Sequence, residues 1–153
     1  MRTTVTITGL DQLLVRLKAL PAEVASKNGG PVRSAVRKAA NVIRDEMRRN
    51  MAAEIAKPNE VPYQETGRLM KSIRSATGKM RGKGESYKVG VMTSKYSSGL
   101  STKRVGGYME YGTVKYHSNA PLRTAWAAKK DEALTVMTVE LEKGIARLER
   151  KWK

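Results

Sequence analysis

The sequence contains no cysteine, no phenylalanine, a single histidine, and only 14 acidic residues against 30 lysines and arginines. Without cysteine there is neither a disulfide framework nor a thiolate metal site. Without phenylalanine the core has to be assembled from Leu, Val, Ile, Met and Ala with a few Tyr and Trp. One imidazole, His117, leaves no second for a histidine metal cluster or a proton relay. No apolar run approaches the ~20 residues of a membrane span, and the opening Met-Arg-Thr-Thr-Val-Thr does not form a signal-peptide core. There is no Gly-x-Ser-x-Gly elbow, and the acids are too scattered to nominate a carboxylate pair. The run Gly78-Lys-Met-Arg-Gly82-Lys83-Gly84 fails the spacing of a phosphate-binding loop and lacks the hydroxyl after its lysine. These absences predict a non-enzymatic protein, made and kept in the cytosol, with no metal, no cofactor and no small-molecule substrate.

What is abundant is positive charge. The formal net charge is +16, and the segment from Lys71 to Arg104 holds nine basic residues and one acid, hence +8, half of the total. Such a field favours nucleic acid, an acidic protein partner or another anionic surface. A chain of 153 residues reads as one domain, residues 1–153, large enough to bury roughly 68–70% of the surface its unfolded form exposes.

Thr3 to Thr8 alternates Val5 and Ile7 with threonines and predicts a short strand. Thr8 to Asp11 resembles a capping box, followed by Leu10, Leu13, Leu14, Leu17 and Leu20 at helical spacing up to Pro21. After the break at Asn28-Gly29-Gly30 a long central helix is expected from Pro31 to about Ala56, burying Val32, Val36, Ala39, Ile43 and Met47. Beside that face Arg33, Arg37, Arg44 and Arg48 recur close to whole turns, a basic stripe suited to phosphate, to acids on a neighbour, or to solvent. Lys57 to Gln64 is an irregular connection. A threonine-capped turn around Thr66-Gly67-Arg68 then buries Leu69 and Ile73.

Arg74 to Met80 and Tyr87 to Met92 read as the strands of a protruding hairpin tipped by Arg81-Gly82-Lys83-Gly84. Thr93 to Gly107 is polar and glycine-bearing, and predicts a long flexible loop. Arg81, Lys83, Lys88, Lys95, Lys103 and Arg104 are the candidate contacts of hairpin and loop. A closing helix is expected from about Asn119 towards Lys151, with Leu122, Trp126, Leu134, Met137, Leu141, Ile145 and Leu148 inward. Thirty helical residues span about 45 Å, whereas a globule of this size, with a radius of gyration of about 15 Å, is about 38 Å across. That helix is expected to overhang or to pack on another subunit. The fold class predicted is α+β, a small antiparallel sheet with a protruding hairpin against a long central helix and a long C-terminal helix.

The stretch Gly106 to Trp126 is the pivot of the sequence. Gly112 predicts a tight left-handed reversal. Ser118 or Asn119 is placed to cap the next helix, and Pro121 suits its first turn. Glu110 is the only acid between Glu85 and Asp131, and a carboxylate so isolated among cations is expected to pair, with Arg68 or with Arg123.

Four segments together resemble the head–tail joining or tail-completion family of long-tailed bacteriophages. They are Gly9-Leu10-Asp11-Gln12-Leu13, Thr66-Gly67-Arg68-Leu69 with Ser72-Ile73, Tyr108-Met109-Glu110-Tyr111-Gly112-Thr113, and Pro121-Leu122-Arg123-Thr124-Ala125. One departure is that family members often carry phenylalanine where Tyr111 and Leu122 stand. The resemblance implies a structural α+β subunit of the virion's neck or tail. It implies a ring, commonly six-fold, at the head-proximal end of the tail, completing the tail and joining it to the head connector. Its implied partners are further copies of itself, the connector, the tail terminator or tail tube, and DNA in the channel. Glu110, Tyr111, Gly112, Thr113, Pro121, Leu122, Arg123 and Arg68 are then the expected ring-interface residues. The competing expectation is a basic nucleic-acid-binding protein of ribosomal or nucleoid type, with Tyr87, Tyr96 and Tyr108 interleaved among the cations to stack on bases.

Overall fold

The computed structural model describes residues 10–19, 30–57, 67–78, 86–115 and 117–151. They form α1 (Leu10–Ala19), α2 (Gly30–Ile55), α3 (Arg68–Ser72), β1 (Ile73–Thr77), β2 (Tyr87–Val91), α4 (Thr102–Tyr111) and α5 (Pro121–Lys151). The expected strand Thr3–Thr8, the connection from Pro58 to Gln64, Thr66, and the hairpin tip with Arg81 and Lys83 lie outside the described residues, as do the side chains of Leu13, Leu14 and Leu17.

The architecture is α+β, and an antiparallel pair of long helices is its frame. A Cβ on Gly144 of α5 would lie 2.5 Å from Pro31 Cβ at one end of the pair. Further along, Lys38 bonds Glu140, and at the other end Asn50 Nδ2 donates to the Pro121 carbonyl at 3.2 Å. The Lys38 hydrogen bond holds the Glu140 carboxyl below its usual range. The apolar period of α2 buries Ala35, Ala39, Ile43, Met47 and Met51, a stripe at i, i+4, i+8 that a helix aligns on one side. Small residues at Ala125 and Ala133 let α5 lie close against it, joined by Leu141 and Ile145. At the far end of α5, Arg16 of α1 grips Glu149 with two bonds of 3.0 and 2.7 Å.

The sheet is a single antiparallel pair, with Ile73 opposite Val91 and Thr77 opposite Tyr87. Its inner face lies on α2: Ser75 Oγ donates to Asn41 Oδ1 at 2.8 Å, and Arg48 Nε donates to the Ile73 carbonyl at 3.0 Å. Leu69 and Ile73 are fully buried, as their apolar spacing predicts. The turn before them starts differently from expectation. Gly67, at φ 75°, is the N-cap position just before α3, with no side-chain cap bond, because a glycine in the left-handed region itself redirects the chain.

Two further expectations are corrected. The stretch from Thr93 to Gly107 is not one long loop, since residues from Thr102 onwards form α4. Ser101 caps that helix, its Oγ accepting from Arg104 N at 3.2 Å. Thr102, wholly buried, accepts from Ser94 N at 2.9 Å and donates to the Met92 carbonyl at 2.6 Å, pinning the chain before the helix to its start. Gly106 belongs here because a Cβ would stand 2.9 Å from Val91 Cγ2; the glycine read as a loop signal is a point of close helix–strand approach. Thr102→Val keeps the shape but removes both bonds, and is expected to cost about 1–2 kcal/mol for the unpaired groups left behind, measurable by urea unfolding.

The second correction concerns Trp126, expected in the core. It is 55% exposed. Ala125, one position earlier, occupies the buried direction, while Leu122, Leu134, Met137 and Leu148 are only partly buried.

Candidate assembly interface

The reversal expected at Gly112 is where α4 ends. Gly112, at φ 77°, closes it and donates its N–H to the Tyr108 carbonyl at 2.8 Å. Pro121, nine residues on, is the first residue of α5. Ala120, at φ 47°, makes the last bend.

Glu110 sits inside this corner, 3% exposed. Its Oε2 accepts from Leu122 N at 2.8 Å, and its Oε1 accepts from Arg123 N at 3.1 Å and from Arg123 Nε at 2.9 Å. The carboxylate therefore does what a capping side chain does, satisfying amides of the first turn of α5 that have no partner within the helix, and it places negative charge at the positive end of the helix dipole. Neither Ser118 nor Asn119 performs that role. Ser118 Oγ donates to the Glu110 carbonyl at 2.7 Å, and Asn119 Nδ2 donates to Glu54 Oε2 at 2.6 Å. The cap comes from twelve residues back because the corner presents the buried acid to the helix start.

Arg123 completes the corner, as expected for the pairing of Glu110. Its Nη2 reaches the Glu110 carbonyl at 3.2 Å and its guanidinium lies over the Tyr111 ring, 5.2 Å from the centroid. Arg68, the other partner considered, is engaged elsewhere, bonding the Lys95 carbonyl and stacking on Tyr96 at 5.8 Å. Of the expected interface residues, the structure thus brings together Glu110, Tyr111, Gly112, Pro121, Leu122 and Arg123. Tyr111 is 72% exposed and Val114 wholly exposed, so the corner carries an apolar outer surface on a hydrogen-bonded frame. Thr113 is exposed beside them.

The arginines of α2 do not act as one stripe. Arg44 is paired with Asp45 at 2.8 Å and bonded to Asn41, and Arg48 holds the sheet. Arg33 and Arg37 are exposed near the start of the helix. Lys88, Lys95, Lys103 and Arg104 are exposed too, on β2, on the connection after it, and in the first turn of α4.

One feature went unread in the sequence. A groove of ≈ 530 Å³ runs between β2 and α5 over α2, with Trp126, Lys130 and Leu134 along one wall. The signal was the i, i+4, i+8 spacing of those three residues, which reads equally as a core stripe. Among the described residues there is no group of three or more His, Asp or Glu able to hold a metal ion, and no described helix is long and apolar enough to cross a membrane.

The family model described as "Bacteriophage HK97-gp10, putative tail-component" matches residues 11–112. The matched region runs from α1 through the corner glycine, so it includes Glu110 and Tyr111 and stops before α5. No curated protein and no solved structure gives a significant match.

Proposed function

The chain belongs to the HK97-gp10-like family of bacteriophage tail components, and from that premise we propose that it is a structural subunit of the virion that closes into a six-fold ring. The ring lies at the head-proximal end of the tail, completing the tail and joining it to the head connector. It performs no catalysis.

The observation that carries this reading is the corner at Glu110. A buried carboxylate locks the end of α4 to the start of α5, and this rigid mount holds Tyr111, Val114 and Arg123 outward. Tyrosine and arginine are residue types that dominate binding energy at protein interfaces, and a fixed backbone lowers the entropy lost on docking. A patch of this kind, meeting a different patch on the next copy, is a heterologous contact, the kind from which a ring is built when the rotation between copies closes. The length of α5 supports the same reading, since 31 residues make a rod of about 46 Å with room for a neighbour along its side.

The exposed cations Lys88, Lys95, Lys103 and Arg104 supply contacts to the adjoining virion parts or to DNA in the channel. The folded bridge between Lys95 and Ser101, together with α4, makes that surface preformed.

Mass measurement over a range of concentrations and salt levels, with imaging of the particles, tests the ring. Closed rings are expected as concentration rises, and Val114→Asp with Tyr111→Ala is expected to leave the subunit folded but raise the concentration needed for assembly at least about tenfold. A subunit that stays monomeric throughout, while binding oligonucleotides tightly with a steep salt dependence, would overturn the ring in favour of a nucleic-acid-binding role.

A further inference from the structure

The groove between β2 and α5 has two walls of different kinds. One is β2 itself, whose Tyr87 and Val89 line it. Among the described residues β2 is bonded only to β1, and β1 contributes nothing to the lining, so the second edge of β2, with its unbonded N–H and C=O groups, faces the groove. The other wall is the flank of α5, where Trp126, Lys130 and Leu134 stand one above another over a floor that includes Ile43. Residues four apart on a helix are about 6 Å apart along its axis, and alternate residues of an extended strand are about 6.6–6.8 Å apart. The spacing of side chains i, i+2 and i+4 on a strand laid along β2 and running beside α5 therefore matches that of Trp126, Lys130 and Leu134.

We propose that the groove is a docking site for an extended segment of a different protein, which adds as a strand to β2 and carries the pattern apolar–x–acidic–x–apolar. The apolar positions lie against Trp126 and Leu134, and the acid meets Lys130, the one charged group among the described lining residues. Strand addition supplies main-chain bonds, and the alternate side chains supply selectivity.

Charge decides against a second copy of this chain as the occupant. Among acids with described side chains, Asp45, Glu46, Glu54, Glu110, Glu132, Glu140 and Glu149 are all in ion pairs within the subunit. Asp131 and Glu142 are the remaining ones, and both lie on α5, as Asp11 lies on α1, where none of the three can be offered in a strand. The acids outside the described helices are Glu23, Glu60, Glu65 and Glu85, and none has a large apolar residue at both the second position before it and the second after it. The chain's own alternating segment, with Val5 and Ile7, contains no acid. Lys130 has no ion-pair partner among the described residues, and Arg37, adjacent to the lining residue Val36, has none either. The surface asks for negative charge that this chain does not present. The inference is independent of ring closure.

Trp126 is the reporter for the test, in a Trp152→Phe background that leaves it as the sole indole. The probes are two heptapeptides with blocked ends, Thr-Leu-Thr-Glu-Thr-Val-Thr and its twin with lysine in place of glutamate. The acidic peptide is expected to shift Trp126 emission to the blue, to slow hydrogen exchange of β2 amides, and to bind about tenfold tighter than its twin at low salt. Lys130→Glu is expected to reverse that order, a readout that mere loss of packing would not produce. The proposal is overturned if neither peptide binds at millimolar concentration, if the two bind alike, or if Lys130→Glu leaves the order unchanged. It is equally overturned if the acidic peptide binds only after residues 1–8 are deleted, which would show that the chain fills its own groove.

Discussion

Glu110→Ala is expected to destabilise the subunit by about 3 kcal/mol, near the cost of breaking a buried charge pair from one side. The carboxylate is 3% exposed and accepts two amides of α5 together with a guanidinium N–H. Its loss removes a helix cap, worth about 1 kcal/mol, and charge-assisted hydrogen bonds worth about 1.5–3 kcal/mol. For a chain of this size each kcal/mol moves the melting temperature by about 2–4 °C, so a drop of about 6–12 °C is the expected reading. Glu110→Gln keeps the shape and one acceptor oxygen but turns its NH2 group towards donors, and is expected to fall about midway. Arg123→Ala is expected to cost less than Glu110→Ala, because the arginine side chain is 62% exposed and the amide contacts of Glu110 survive. If Glu110→Ala melts within a degree or so of the parent, the carboxylate is not what joins α4 to α5.

The second large effect is at Gly144, about two turns before the end of α5. On an isolated helix Gly→Ala gains about 1 kcal/mol. Here the added Cβ would lie 2.5 Å from Pro31 Cβ and 3.3 Å from Pro31 Cα, and a proline ring at the start of a helix has little freedom to move aside. Gly144→Ala is therefore expected to destabilise by about 2–3 kcal/mol through overpacking, and the sign itself is the test. Gly107, in α4, is the control: a Cβ there would meet nothing within 4 Å, so Gly107→Ala is expected to stabilise by about 0.5–1 kcal/mol. Parallel denaturant titrations of the two variants should move in opposite directions. Two gains, or two losses, would mean that helix propensity alone, or a general intolerance of substitution, accounts for both.

The parts of this fold that were legible in the sequence are those whose signal is strong and local. The α2 stripe, the Gly112 reversal, Pro121 opening α5, and the two strands of the hairpin all rest on periodicity or on a backbone constraint that one residue imposes. Charge isolation alone called for a cationic partner for Glu110, Arg68 or Arg123, and the fold selects Arg123. What escaped was settled by contacts distant in sequence. Gly106 and Gly107 with their polar neighbours read as a loop, and only the proximity of Val91 gives Gly106 a reason to sit in a helix. Ser118 and Asn119 are better local caps than anything else near Pro121, yet an acid from the preceding helix displaces both. Trp126 has far more apolar area to bury than Ala125, but α5 lies so near α2 that the smaller residue takes the inner position. The groove was hidden for the same reason, since a stripe lining an open cleft and a stripe sealed in a core look alike from the sequence.

The order in which the ribosome delivers this protein follows from where its core residues come from. The buried stripe of α2 is matched chiefly by Ala125, Ala133, Leu141 and Ile145, which are translated roughly ninety residues later. Until they emerge, the nascent chain has an amphipathic helix and a hairpin with nothing to cover them, and pairing so far along the chain makes the final closure the slow, entropically costly step. Maturation is thus coupled to the synthesis of α5: an incomplete polypeptide lacks the corner at Glu110 as well as half its interior, and so has no rigid frame on which Tyr111 is held.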